Sequence, residues 1–304
     1  MKTPFQLRSK YYLASILAIL ASLILPATAH ATCILSIEPV RDQILMRVNP
    51  LETSAARDRI EVRVFNKGDT ACAGSLETAL QGDIFGLRAN EKAQSIAYQL
   101  IDDRNQSDIT PRAGTSLTGL SNGQIHLAPG ERSLELISVY ITPSELASQG
   151  LYTQLVELSV VGPDGIALGT KPILIGVEIV PSAIIGIKGA ARRSDSGVEV
   201  NLGELTPGRK NLPLTLYVHS TGGYRVSVSS ENGGRLKHQS SAWFVPYDLT
   251  MGRHRLRLSA PDGFEVPSQQ ARFDDYPLEV EISETEGKRA GSYRDTVTFT
   301  VATL

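Results

Sequence analysis

Cysteine is nearly absent from this sequence. Only Cys33 and Cys72 occur in 304 residues. No C-x-x-C pair exists, so neither a cysteine-rich zinc site nor a thioredoxin-type redox motif can be assembled. H-E-x-x-H and a glycine-rich phosphate loop are also missing. Histidine is sparse. Beyond residue 31 there are His126, His219, His238 and His254, and none stands in a nucleophile motif. Hydrolysis by a nucleophile with a base in reach therefore has no support. The paired acids Asp102-Asp103 and Asp274-Asp275 read as solvated, because adjacent strand residues point to opposite faces. A calcium loop over Asp102–Asp108 would alternate oxygen ligands but lacks the usual spacing and glycine. The expectation is a non-enzyme with no cofactor and no metal.

An excess of positive charge is also lacking, as is any second long apolar run. The one such run, Tyr12–Leu25, follows Lys2, Arg8 and Lys10 and precedes Pro26 and Ala29-His30-Ala31. That order is a basic region, a short apolar core and an A-x-A cleavage site, so residues 1–31 read as a signal peptide for Sec export. The run is short for a bilayer span, which disfavours an uncleaved anchor. His30, Ala31 and Thr32 ahead of Cys33 do not form a lipobox. Removing three positive charges takes the formal net charge from -2 to -5, which argues against a nucleic-acid partner. In an oxidising compartment the even pair Cys33 and Cys72 reads as one disulfide.

What remains is rich in Val, Ile, Leu and Thr, with 26 Gly and 16 Pro. Strands are predicted at Cys33–Ile37, Gln43–Val48, Arg59–Phe65, Ser95–Ile101, Gln124–Leu127, Leu134–Ile141 and Tyr152–Val161. A second series covers Ala183–Ile187, Val198–Leu202, Leu214–Ser220, Tyr224–Ser229, Phe244–Leu249, Arg253–Leu258, Leu278–Ile282 and Ser292–Val301. Ser144–Gln149 is the one short helical turn predicted. The series repeats. Val139, Ile141, Tyr152, Val156, Leu158 and Val160 return as Val280, Ile282, Tyr293, Val297, Phe299 and Val301, each 141 residues later. "IAYQLIDD" echoes in "VPYDLTMG", and "RIEVRVFN" in "PLTLYVHS". The reading is a tandem duplication of one all-β unit, giving two immunoglobulin-like sandwiches over 32–182 and 183–304.

The halves differ at their ends. After Tyr152–Val161 the first continues through "GPDGIALGT" into "KPILIGVEIVP", with Ile173, Ile175, Val177 and Ile179 on one face. This predicts a closing strand; the alternative is a linker or the first strand of the second unit. Nothing comparable follows Val297, Phe299 and Val301, so their strand is expected to present an uncovered edge to another chain. Apolar residues among turn formers, Phe85 and Leu87 in one segment and Leu117 and Leu120 in another, are candidates for an adhesive loop or, alternatively, for core positions.

The second half resembles the spore coat protein U type pilin domain of archaic chaperone–usher pili. The resemblance lies in "VEVNLGELTPG", "STGGYRVSVSSENGGRL", "VPYDL" and the terminal "AGSYRDTVTFTV". The first half is similar more distantly, its Cys33…Cys72 spacing fitting the disulfide of such subunits. Two departures stand out: the second half lacks the family's cysteine pair, and the pilin pattern has no counterpart of the first half's extra strand. The resemblance implies an incomplete sandwich finished by donor-strand complementation. It also implies a periplasmic pilus chaperone, an outer-membrane usher and a neighbouring pilus subunit as partners, and passage through the periplasm to a surface fimbrium. With only Thr32 ahead of Cys33, a donor segment is not expected. That favours a tip adhesin, with an unidentified surface or host receptor, over a shaft or minor pilin or a free carbohydrate-binding module.

Overall fold

Alternation of apolar and polar side chains sets which face of each strand is buried. In Gln43–Val48, Ile44, Met46 and Val48 are buried while Gln43, Leu45 and Arg47 face solvent. A computed structural model describes residues 32–304 apart from 53–54, 81–83, 90–93, 112–117, 145, 191 and 195–196. The chain is all-β, with no helix among the described residues. The predicted helical turn at Ser144–Gln149 is a plain turn, closed by the Ala147 amide donating to the Ser144 carbonyl at 2.8 Å. The predicted signal peptide lies outside the described residues.

The longer strands are β1 (Leu35–Pro39), β2 (Gln43–Val48), β3 (Ala56–Asn66), β4 (Cys72–Ala79), β5 (Tyr98–Asp102), β6 (Arg132–Ile141), β7 (Gly150–Val161) and β8 (Ala167–Ile179). One sheet runs β1-β3-β6-β5, and the facing sheet runs β4-β7-β8-β2. Their inner faces enclose one apolar core from Leu35 to Ile179. β8 pairs antiparallel with β7 and parallel with β2. It is the closing strand expected from the sequence, and Ile173, Ile175, Val177 and Ile179 on its inner face are at most 2% exposed. Each such side chain contributes about 1.5–3 kcal/mol when fully buried. Pro172 sits within β8, opposite Glu157 of β7. There β8 has not yet met β2, so the missing N–H disrupts no ladder on that side.

The second series is β9 (Ala183–Gly189), β10 (Gly208–Ser220), β11 (Tyr224–Ser230), β12 (Arg235–His238), β13 (Phe244–Met251), β14 (Asp262–Val266), β15 (Arg272–Ile282), β16 (Tyr293–Arg294) and β17 (Val297–Thr303). One sheet runs β9-β10-β15-β13-β12-β16 and the other β14-β11-β17. They enclose a separate core.

The repeat holds at the level of register. Ile141 of β6 faces Tyr98 of β5, and their counterparts Ile282 and Tyr247 face each other in β15 and β13. Arg63 pairs with Leu134, and Tyr217 with Asp275. The corner before each repeated tyrosine is also shared. Gly150 and Gly291 both hold positive φ, 138° and 146°. Tyr152 and Tyr293 each donate their hydroxyl to the carbonyl four residues upstream, Ser148 at 2.9 Å and Arg289 at 2.6 Å. This is the tyrosine corner of immunoglobulin-like sandwiches.

The sandwiches meet at a hydrogen-bonded joint. The Ser182 amide donates to Thr221 Oγ1 and the Thr221 amide to the Ser182 carbonyl, both at 2.9 Å. The Gln149 amide donates to the Thr221 carbonyl at 2.8 Å, and the Ala271 amide to Ser148 Oγ at 3.0 Å. A Cβ on Gly222 would lie 2.6 Å from the Gln149 side chain, so this turn admits only glycine without rearrangement.

Candidate strand-docking edge

β17 follows a corner that fixes its entry. Gly291 leaves room for the His238 ring, whose Nε2 lies 2.3 Å from where a Cβ would stand. Two residues after Tyr293, the Asp295 carboxylate accepts from Ser230 Oγ and Tyr247 OH at 2.6 Å, and from the Asn232 amide and side chain at 3.0 Å. Burial, and then the Asp295 carboxylate, push the Tyr247 phenol above the ordinary tyrosine range. Asp295 thus ties the turn after β11 to the base of β17. The matching position in the first half is Gln154, which holds Gly86 and Ile84 by its two side-chain atoms at 3.0 and 2.7 Å. Both anchor the segment that follows the same strand of their repeat.

From Val297 onward the chain alternates. Val297, Phe299, Val301 and Thr303 are half-buried, while Thr298, Thr300 and Ala302 are exposed. On one side β17 pairs with β11 from Val297–Ser230 to Thr303–Tyr224. On the other side no described strand pairs with it. Near it stands β9, which among the described strands pairs with β10. Its inward residues Ala183, Ile185 and Ile187 are also half-buried and pack on the same core. The unpaired side of β17 therefore lies beside β9, with the half-buried residues Ile185 and Ile187 of β9 and Val297, Phe299 and Val301 of β17 packed on one core. In the first sandwich β8 fills the corresponding place beside β7. Only a few half-buried apolar residues adjoin that first core, whereas a long series, including those of β9 and β17, adjoins the second.

The polar groups near this core are internally committed. Tyr224 donates to Asp274 Oδ2 at 2.7 Å and touches the Tyr276 hydroxyl. Burial first, then these partners, push the Tyr224 phenol far above its ordinary range. The Arg272 guanidinium beside Asp274 holds that carboxyl below the ordinary carboxylate value. Asp274 is half-buried while Asp275 faces outward to Lys188 at 2.5 Å. Asp102 departs from the solvated reading: it is buried, accepting from Ser121 Oγ at 2.5 Å and from the Arg104 amide at 3.0 Å.

Cys33 and Cys72 form a disulfide. Leu87 is 0% exposed, and Phe85 packs against the first core with its ring 4.9 Å from Tyr98, so core packing rather than an adhesive loop accounts for both. Leu120 is 52% exposed in the short strand Thr118–Leu120 beside β4. Leu117 lies outside the described residues. Sequence reasoning did not single out the β9 residues. Its signal was the alternation of Ala183, Ile185 and Ile187, the same pattern that identified β17.

Comparison with family models and with curated sequences returns no match. Several solved structures align over most of the chain. The Acinetobacter baumannii chaperone–tip adhesion subunit pre-assembly complex of Csu pili has 15% identity and a TM-score of 0.42, over 89% of this chain and 99% of that one. CfaE, the adhesive subunit of CFA/I fimbria of enterotoxigenic Escherichia coli, has 14% and 0.37, over 88% and 93%. The CupB6 tip adhesin of Pseudomonas aeruginosa has 11% and 0.35, over 89% and 94%. These values carry no argument about function, which rests on the edges and cores of this chain.

Proposed function

We propose that this protein is a non-enzymatic subunit of a chaperone–usher fibre of the spore coat protein U type. Its second sandwich (183–304) accepts a strand from outside, and its first (32–182) carries adhesion at the tip. One observation carries the reading: one side of β17 pairs with no described strand, where β8 closes the first sandwich beside β7. A strand entering beside β17 would satisfy the free ladder and place alternate apolar side chains over Val297, Phe299 and Val301. β8 shows what such a strand looks like, with one apolar face and few charges. A periplasmic chaperone would supply it first and a neighbouring subunit afterwards, at an outer-membrane usher, on the way to the cell surface.

The test is periplasmic expression of 32–182 and 183–304 as separate chains, with and without a co-expressed periplasmic pilus chaperone. The expected result is that 32–182 is soluble alone and 183–304 is recovered only bound to chaperone. A soluble, cooperatively melting monomer of 183–304 would defeat the reading.

A further inference from the structure

The outer face of β3 and β6 collects arginines in a protein that is acidic overall. Arg57, Arg59, Glu61, Arg63 and Phe65 project from β3, and Arg132, Leu134, Leu136, Ser138 and Tyr140 stand opposite them on β6. Residues two apart on one strand face are spaced about 6.7 Å, so the row from Arg57 to Phe65 is about 27 Å long. Arg57 lies over the Tyr140 ring at 4.9 Å and Arg132 over the Phe65 ring at 4.7 Å. Arg59 pairs with Asp103. Arg57, Arg63 and Arg132 form no ion pair among the described residues.

We infer that this face binds a linear polysaccharide carrying carboxylates, a polyuronate. Guanidinium groups resting on aromatic rings are already oriented, so less freedom is lost when they grip an anion. Their N–H edges suit a carboxylate bidentately. Leu134, 54% exposed between the arginines, offers an apolar spot for the C–H face of a sugar ring. Charge density selects among anions. Glu38 stands directly across from Arg63, and Glu61 and Asp103 sit in or beside the row. These carboxylates oppose the dense phosphates of a nucleic-acid duplex. The leucines lie flush within the sheet and do not form the apolar helix face that inserts into a bilayer. A polymer with one carboxylate per sugar matches an arginine row interrupted by carboxylates. The face lies on the first sandwich, so this inference stands apart from strand docking at β17.

The experiment uses the full exported chain as recovered from the periplasm, with an alginate oligosaccharide as probe. Binding should weaken as salt rises from about 50 to about 200 mM. The double variant Arg57→Gln/Arg132→Gln should weaken it by about fivefold to tenfold, as two exposed charge pairs allow. Glu61→Gln should tighten it by about twofold or more. Because the variants shift affinity in opposite directions, misfolding cannot mimic the pattern. Absence of alginate binding, an unchanged affinity in both variants, or tighter binding to a DNA duplex or to phosphatidylglycerol vesicles at equal salt would overturn the inference. None of these outcomes bears on chaperone capture.

Discussion

Replacing Phe299 with alanine should weaken the protein in two separable ways. At a fully buried site Phe→Ala costs about 3–5 kcal/mol. Phe299 is half-buried against the second core, on the strand whose other side no described strand covers. About half the cost, roughly 2 kcal/mol, should therefore appear in the stability of the chain itself. The other half should appear only when an incoming strand covers the ring, and about 2 kcal/mol of lost capture is close to thirtyfold in affinity. Thr298 is exposed on the opposite face, so Thr298→Ala should change either quantity by less than about 0.5 kcal/mol. Val301→Asp should be worst, because docking would bury an unpaired charge. The assay is the amount of each variant copurifying with tagged chaperone, measured beside its urea midpoint. Equal recovery of all three variants would refute β17 as the docking edge. A capture deficit in Phe299→Ala no larger than its stability deficit would make Phe299 an ordinary core residue.

Grafting a copy of Gly162–Val180 after Ala302, the position matching Val161, should complete the second sandwich from within; the fusion should melt as a cooperative monomer and no longer bind chaperone in pull-down. Replacing Cys33 and Cys72 with serine opens a loop with a sequence separation of 39 and should destabilise the first sandwich by about 4 kcal/mol, read as a lowered melting temperature, with alkylation confirming no free thiol in the parent. Asp295→Ala leaves the Ser230, Asn232 and Tyr247 donors without their acceptor and should cost about 3 kcal/mol or more in urea unfolding, with Asp295→Asn milder. The Asp274 carboxyl is held low when folded, so its stabilisation is present above the ordinary value of 3.8 and is lost as pH falls through the folded value; the melting temperature should drop below about pH 4, and Asp274→Asn should flatten that drop.

Large apolar residues at period two made most of the architecture readable. β2 has the predicted ends, and β8 emerged from Ile173, Ile175, Val177 and Ile179. β4 was missed because its inward residues are Cys72, Gly74, Leu76 and Thr78, of which only Leu76 is large and apolar. Gly74 is needed there, since a Cβ would lie 2.6 Å from Val160. β12 and β14 were missed as short segments with many polar or charged residues. Ser292–Val301 was read as one strand but is split into β16 and β17, because Asp295 turns inward to collect its donors. The β17 part of the candidate edge was legible because Val297, Phe299 and Val301 alternate in a terminal motif. The β9 residues join it only when the fold brings them onto the same core as β17, and no local pattern states that. Phe85 and Leu87 misled because turn-forming neighbours signal a surface loop, while Gln154, 67 residues beyond Leu87, draws that segment onto the core.

β8 follows β7 through only five residues, Gly162–Ile166, closed by the Gly162 amide on the Ile166 carbonyl. So short a tether holds a strand at the edge it must join at an effective concentration on the order of millimolar, however dilute the protein. Closure of the first sandwich is accordingly a first-order event, with a half-time independent of how many chains are present. No described strand is tethered in that way to the edge of β17. A strand reaching it from another molecule arrives at that molecule's concentration, so the step is second order and slows in proportion to dilution. If another chain completes the second sandwich, two sandwiches that share a register, a glycine corner and a tyrosine corner finish folding under different rate laws, and the five-residue hairpin is what separates them.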